Sequence, residues 1–189
     1  MTTWNKQIEN RNFLSPIGFR FLLAKFPKVA YFCQSANIPA MTLSVPEQST
    51  MFRPLPMDGF ITYDQLSLQF IIDEDMQNYL ILHNWMRALG QPDGKSGERK
   101  RLMDEMQRLY GADDADPTVF ADATLTILNS NFNMNMNIVF TDLFPVSLSG
   151  LDFSAIVDGS EYATATATFR YTGYEFRSGE STKRDNTIT

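Results

Sequence analysis

The chain has 189 residues, of which 43% are hydrophobic and 20% charged, and its formal net charge is −6. These values are typical of a globular domain and exclude an intrinsically disordered chain. The negative charge argues against binding nucleic acid through its phosphates, which requires clustered Lys and Arg. Because Cys33 is the single cysteine, an intrachain disulfide and a cysteine-based zinc cluster are both excluded.

Both ends of the chain are polar. Residues 1–12 lack the apolar core of a signal peptide. Residues 178–189 show no periodicity, so both ends are predicted to be flexible tails of a single domain spanning 1–189. No apolar run approaches the ~20 residues that span a bilayer. We therefore expect no membrane location and assembly in a cytosol.

The first two strands are predicted as a pair within Gly18–Cys33. Phe19, Phe21 and Leu23 fall at alternate positions, which is typical of a strand with one buried face. Pro27 then separates this strand from a second one that ends at Cys33.

The segment Met41–Phe60 (residues 41–60) combines prolines with apolar residues. Pro46, Pro54 and Pro56 are too dense for a central strand, whereas the apolar residues argue against a plain linker. We predict a protruding, hairpin-like arm that buries its tip on another molecule. The candidate contact residues of the tip are Met51, Phe52, Arg53, Leu55 and Met57.

The clearest strand is Thr62–Ile72, which has one apolar face and one mainly polar face. The polar face contains Gln65, Ser67 and Gln69. Asp73-Glu74-Asp75 follows, and these carboxylates are predicted to cap a helix that carries Trp85.

A second amphipathic helix, Glu98–Tyr110, is predicted inside an insertion spanning residues 90–117. It carries a modest basic patch that is balanced by neighbouring acidic residues. Two interpretations of this patch remain open: a face that is only solvated, and a contact with another protein. The patch consists of Arg99, Lys100, Arg101 and Arg108.

Three further strands are predicted at Phe120–Leu128, Phe132–Phe140 and Glu161–Phe176. In the last of them, Thr164, Thr166 and Thr168 alternate with alanines, so one face is packed and the other is polar. The predicted fold class is mainly β with an α insertion.

No set of residues predicts catalysis, a metal site or a cofactor. His83 is the single histidine and no nucleophile motif accompanies it. Three adjacent acids at Asp73–Asp75 do not converge as metal ligands must. Gly94-Lys95-Ser96 lacks the glycine spacing and the strand of a phosphate loop. Cys33 is predicted to be a small buried apolar residue.

Four segments, in their order and spacing, carry a resemblance to a known family. They are Phe32–Ala40, Tyr63–Ile72 with its helix, Phe140–Ser147 ending at an aromatic-Pro turn, and Tyr174–Phe176 in the closing strand. Together they resemble the tail tube proteins of contractile-tailed bacteriophages, a family that includes the related baseplate tube-initiator proteins.

The resemblance implies a β-sandwich or barrel with a flanking helix, and a structural role in the virion tail. It implies hexameric rings whose strands join into one inner barrel, and stacking of rings through a loop that corresponds to Val45–Gly59. It also implies sheath, baseplate and terminator partners, with tape measure protein and DNA passing through the lumen. The candidate lumen residues are Gln65, Ser67, Gln69, Thr164, Thr166 and Thr168.

Two alternatives accompany the tube subunit. The first is a tube initiator at the baseplate junction, which has the same fold. The second is a small-ligand-binding β-barrel, which requires an enclosed apolar pocket in a monomer.

Overall fold

The computed structural model describes residues 14, 16–26, 33–91, 94–95, 97–110, 120–153 and 162–178. Both predicted tails, except Ser178, and residues 111–117 of the predicted insertion lie outside this part of the chain. Within it, the elements in chain order are β1 (Phe19–Leu23), β2 (Cys33–Ala36), β3 (Met41–Leu43), β4 (Glu47–Gln48), β5 (Leu55–Pro56), β6 (Ile61–Tyr63), β7 (Leu66–Ile71), α1 (Gln77–Gly90), α2 (Glu98–Tyr110), β8 (Ala121–Leu128), β9 (Met134–Leu148), β10 (Thr164–Arg170) and β11 (Gly173–Ser178).

Seven of these strands form one antiparallel sheet in the order β1-β8-β9-β10-β7-β2, with β11 also paired to β9. The long strand β9 belongs to two layers. Its first part pairs with β8 and β11, and its last part, Phe144–Leu148, pairs with β10. Asp142, with a φ of 55°, marks an irregularity in β9 two residues before the last part begins at Phe144. We call β1, β8, β11 and the first part of β9 the first layer, and β2, β7, β10 and the last part of β9 the second layer.

The core lies between the two layers. Phe21 of the first layer lines the same small cavity as Phe70 and Ala167 of the second layer. Helix α1 adds Ile81, Leu82 and Trp85 to this core, and the Trp85 ring lies 5.5 Å from that of Phe26. The fully buried large side chains are Trp85, Phe21, Phe26, Phe140, Phe169, Leu23, Leu66, Ile81, Leu82, Ile138 and Leu143. The predicted fold class, mainly β with an α insertion, is confirmed.

The predicted strand Thr62–Ile72 is in fact two strands, β6 and β7, in different sheets. The break at Asp64 and Gln65 is where the chain leaves a separate hairpin and enters the main sheet. The side chain of Asn37 fixes this junction: its oxygen accepts the Ser67 N–H at 2.6 Å, and its nitrogen donates to the Gln65 carbonyl at 3.3 Å.

Of the predicted second strand, Val29–Cys33, the structure describes only Cys33, so the predicted pairing of the first two strands stays a prediction. β1 pairs with β8, and β2 pairs with β7. Residues 27–32, which were to carry most of the second strand, lie outside the described part, and β2 itself begins at Cys33 and ends at Ala36.

The acidic cap predicted for α1 is also wrong. The helix begins after Met76, which has a φ of 53°, and its first turn contains no acidic residue. The buried Asn78 holds this junction instead. Its side-chain oxygen accepts the Asp73 and Tyr79 N–H groups at 3.3 and 2.8 Å, and its nitrogen donates to the Ile71 carbonyl at 2.8 Å. An amide can satisfy strand and helix together, which a carboxylate cannot, because it has no donor.

Two later strands differ from their predicted bounds. The predicted turn at Phe140–Ser147 is a continuation of β9 through Pro145 to Leu148. Proline is tolerated there because this part of β9 has β10 on one side and forms the edge of the second layer within the described residues. The predicted strand Glu161–Phe176 is β10 followed by β11. Helix α2 has the predicted bounds, Glu98–Tyr110.

Gly59 lies at a close approach of the two sides of the hairpin arm. A Cβ at this position would overlap the Ser44 hydroxyl, and it would lie 2.5 Å from the Ser44 carbonyl oxygen and 2.9 Å from Pro46 Cδ. The Ser44 hydroxyl also accepts the Phe60 N–H at 3.0 Å, so it is not free to move away.

We therefore expect Gly59→Ala to disrupt the arm while the sandwich stays folded. Amide hydrogen exchange at Ser44 and Met57, which are both bonded across the hairpin, should rise at least about tenfold. Gly90→Ala is the matched control, because a Cβ at Gly90 meets nothing within 4 Å. Unchanged exchange in Gly59→Ala would contradict the close approach.

Candidate assembly surfaces

The predicted arm is a two-stranded hairpin, as the sequence indicates. β3 pairs with β6 at its base, from Met41↔Tyr63 to Leu43↔Ile61, and β4 pairs with β5 near its tip. Eight residues from Met41 to Gln48 at the rise of a strand give a length of roughly 25 Å. The arm is therefore an extended hairpin whose strands pair with each other and not with the main sheet.

The tip is a tight turn closed by Thr50. Its hydroxyl donates to the Arg53 carbonyl, and the Arg53 N–H returns to that hydroxyl at 3.3 Å. Between them, Met51 and Phe52 are each 94% exposed. The other predicted tip residues, Arg53, Leu55 and Met57, are exposed as well. An apolar tip presented this fully to water is typical of a contact surface.

The second layer has a polar face on the side away from the core. The β10–β7 register places Thr168 opposite Ser67 and Thr166 opposite Gln69. The inward neighbours Leu68, Phe70, Ala165, Ala167 and Phe169 are buried. The structure thus brings four of the six predicted lumen residues into two adjacent rows.

The remaining two predicted lumen residues lie at the margins of this face. Thr164 begins β10 opposite Ile71, and Gln65 lies exposed in the turn before β7. Two residues that the sequence analysis missed extend the rows: Ser35 of β2 lies opposite Gln69, and Ser147 of β9 lies opposite Thr168. Both were quoted in family-like segments, but neither has a strand alternation long enough to reveal its face.

The polar face is almost uncharged. The four strand segments of the second layer contain no Asp or Glu, so the acidic residues that give the chain its net charge lie elsewhere. The charged residue in β10 is Arg170, at the end of the strand opposite Phe144. Hydroxyl and amide groups on such a face bind water and present no fixed charge to a passing polymer.

The basic patch of α2 is exposed. Arg99, Lys100, Arg101 and Arg108 all face solvent, while Leu102 and Met106 of the same helix are buried against the core and α1. One Arg99 guanidinium nitrogen donates to the Leu89 carbonyl at 3.3 Å. This carbonyl lies near the C-terminal end of α1, where the helix dipole also stabilises a positive charge.

Cavities in the described part of the chain do not favour a small-ligand site. The apolar cavity lined by Phe21, Cys33, Leu68, Phe70, Leu82, Ala167 and Phe169 holds about 10 Å³, which is room for about one water molecule. A larger space of about 340 Å³ beside α1 is an open groove with His83 exposed on its rim. No group of three or more potential metal ligands occurs among the described residues.

Cys33 is half-buried against the core, in line with its predicted apolar role. Burial raises the pKa of its thiol to about 11. The thiol donates to the Ser35 carbonyl at 3.4 Å. Because the thiolate is the nucleophile, we expect alkylation at pH 8 to be roughly 100-fold slower in the folded protein than in urea. Mass spectrometry after iodoacetamide treatment measures this ratio, and equal rates would contradict the burial.

A comparison with protein-family models matches residues 15–177 to a family described as phage tail tube protein. A comparison with curated protein sequences gives no match. Neither helix in the described residues combines the length and apolar character needed to cross a membrane.

Solved structures with the same fold come from contractile injection systems. One is the PVC sheath/tube terminator in the extended state, with a TM-score of 0.60, 13% identity, and coverage of 89% of this chain and 100% of that chain. Another is the PVC sheath–tube complex, with a TM-score of 0.57, 14% identity, and coverage of 94% and 99%. A third is the anti-feeding prophage baseplate, 6-fold symmetrised, with a TM-score of 0.54, 14% identity, and coverage of 86% and 92%.

Proposed function

This chain belongs to the phage tail tube protein family, and we propose that it forms hexameric rings that stack into a tube through which DNA leaves the virion. The family is structural, so the prediction that the chain is not an enzyme is confirmed, and its place is the virion tail. The observation that carries the finer proposal is the second layer: a sheet with an almost uncharged, hydroxyl-rich face opposite its core, bounded by the edges of β2 and β9 in the described residues.

The strand directions in this layer support the proposed ring closure. β9, β10, β7 and β2 are antiparallel at each step, so the two edge strands run in opposite directions. Copies related by a cyclic axis keep the same orientation along it, so β2 of one subunit meets β9 of the next as an antiparallel pair. Such joining satisfies both exposed edges, which otherwise invite uncontrolled aggregation.

The proposed number of six subunits is supported by the anti-feeding prophage baseplate, a 6-fold symmetrised structure that contains a chain with this fold. The lumen of the ring is then lined by Ser35, Ser67, Gln69, Ser147, Thr166 and Thr168, with Gln65 and Thr164 at its margins. A wet wall with few charges offers DNA and the tape measure protein little to bind, because Arg170 at the end of β10 is the one charged residue in the four described strand segments of this layer.

The arm supplies contact between rings. Its exposed apolar tip, residues 50–53, closes a hairpin with a strand length of roughly 25 Å, and we propose that the tip buries Met51 and Phe52 on the adjacent ring. The basic patch of α2 is proposed to face the sheath, because the exposed guanidinium and ammonium groups there suit an acidic partner surface. Baseplate and terminator proteins are the proposed partners at the two ends, with assembly in the host cytoplasm.

Disulfide cross-linking tests ring closure. In a Cys33→Ala background, cysteines at Ser35 of β2 and Ser147 of β9 lie on the same face of neighbouring subunits if the strands pair. Oxidation of assembled protein should give a reducible ladder that ends at six subunits. Scanning the second cysteine over Val146, Ser147 and Leu148 covers the register.

The single-cysteine variants are the controls, because one cysteine per chain cannot link more than two subunits. A double-cysteine protein that assembles but shows no species above a dimer at any register would refute the β2–β9 joint. A ladder ending at another number would refute the hexamer.

The tube initiator remains the second candidate, and the shared fold with a baseplate structure favours it. The two functions differ in growth. A tube subunit should polymerise end to end on a preformed ring, whereas an initiator should stop after its own layer. Negative-stain electron microscopy over a concentration series distinguishes them.

A further inference from the structure

The base of the arm is held against the closing strands by aromatic side chains that the sequence analysis did not single out. Tyr63 is the last residue of β6, and Tyr171 and Tyr174 flank the turn between β10 and β11. The Tyr63 ring lies 6.0 Å from that of Tyr171 and 5.4 Å from that of Tyr174. We call these three residues the tyrosine clamp.

Each side of the arm is tied to the clamp by one hydroxyl in the described structure. Tyr174 donates to the carbonyl of Pro39, just before β3, at 3.3 Å. Tyr171 donates to the carbonyl of Asp64, just after β6, at 2.9 Å. The two acceptors therefore lie on the incoming and outgoing chains of the same hairpin, so the two bonds together restrict its direction.

The clamp rests on a rigid support. Phe140 is fully buried in β9, and its ring lies 5.1 Å from Tyr171 and 5.7 Å from Tyr174. Partial burial and the neighbouring Tyr174, Tyr63 and Asp64 raise the pKa of the Tyr171 hydroxyl to about 12. A tyrosine hydroxyl is protonated at neutral pH even without this shift, so it can donate the bond to Asp64.

The arm needs such a support because its strands form a sheet of their own. The β3–β6 ladder is separate from the main sheet, and the strands on both sides are interrupted at the junction, between β2 and β3 and between β6 and β7. A lever of about 25 Å converts a small rotation at its base into a displacement of several ångströms at its tip. A tip that fits a neighbouring ring requires that rotation to be limited.

We propose that Tyr63, Tyr171 and Tyr174 are positioning residues that fix the angle of the arm, so that its tip meets the adjacent ring. This inference rests on the proposed role of the arm in stacking. It assigns to the closing strands a role in assembly that is separate from packing the core.

The double variant Tyr171→Phe, Tyr174→Phe tests this proposal, because it removes both hydroxyls and keeps the aromatic side chains. We expect the subunit to fold and to form rings of subunits. The yield of tubes in a sedimentation assay should fall at least about tenfold, since every arm of a ring of subunits is affected. Tyr79→Phe is the matched control: its hydroxyl donates to the Ser149 carbonyl at 3.1 Å, a bond of the same kind on α1.

A distance measurement separates positioning from other effects. With Cys33 replaced by alanine, spin labels at Met51→Cys on the tip and His83→Cys on α1 occupy exposed sites. In the unassembled subunit, the double variant should widen the distance distribution, and Tyr79→Phe should not. Tube yield is measured without labels.

The outcomes distinguish the inference from the function beneath it. If the parent protein forms no rings or tubes, the proposed function fails and the inference falls with it. If the parent forms tubes, the inference alone is overturned by normal tube yield in the double variant, or by a lower yield without a wider distance distribution.

Discussion

Replacing Met51 and Phe52 with serine is expected to abolish the stacking of rings while leaving the subunit folded. Each side chain is 94% exposed, so its removal costs the isolated subunit almost nothing. Burying a Met or Phe side chain contributes about 1.5–3 kcal/mol. Because one ring would present several tips to the next, the losses add, and tube yield should fall by far more than tenfold.

The readout is the fraction of protein that sediments as tubes, together with electron microscopy of what remains. Rings without tubes are the expected picture, with an unfolding transition that matches the parent. Tyr162→Ser is the matched control, because Tyr162 is 75% exposed and lies outside the arm. Normal tubes in the Met51, Phe52 variant would exclude the tip as the stacking contact.

The arm illustrates how much the sequence could predict. In this segment the prolines argue against a core strand and the apolar residues argue against a linker. The structure has a hairpin in the same segment. The sequence did not predict how the arm is attached. The clamp joins Tyr63 to Tyr171 and Tyr174 over more than 100 residues, and no local pattern reports a contact between such distant positions.

The second layer shows a different limit. Alternation in β7 and β10 predicted the polar residues, and the register confirms that Ser67, Gln69, Thr166 and Thr168 share a face. Ser35 and Ser147 were missed because β2 has four residues and the last part of β9 contains Pro145, which was read as a turn. Short edge strands carry too few alternations to show which way they face.

The prediction of an acidic cap before α1 was wrong for a chemical reason. Three acids before a helix are a common N-terminal signal, but here the strand end and the helix start both need partners. Asn78 is buried inside the first turn. Its side chain donates to the Ile71 carbonyl at the end of the strand and accepts from the Tyr79 N–H at the start of the helix. Propensity alone places asparagine poorly inside helices, so this role becomes visible only when the strand and helix are seen together.

Replacing Trp85 with alanine is expected to have the largest effect on folding. Trp85 is 0% exposed on the core face of α1, and its ring packs against Phe26. Removing a buried tryptophan leaves a cavity between the two layers and costs about 3–5 kcal/mol of unfolding free energy. For a chain of this size, the midpoint temperature should fall by roughly 10 °C.

Urea unfolding followed by circular dichroism measures this loss without relying on the fluorescence that the substitution removes. Leu80→Ala on the same helix is the control, because Leu80 is 41% exposed and its truncation should cost less than about 1 kcal/mol. A similar small loss for Trp85→Ala would show that α1 does not close the core. The Trp85 variant should also lose rings and tubes together as its unfolded fraction rises, whereas the tip variant loses tubes alone, and this contrast separates the subunit's fold from the contacts that stack it.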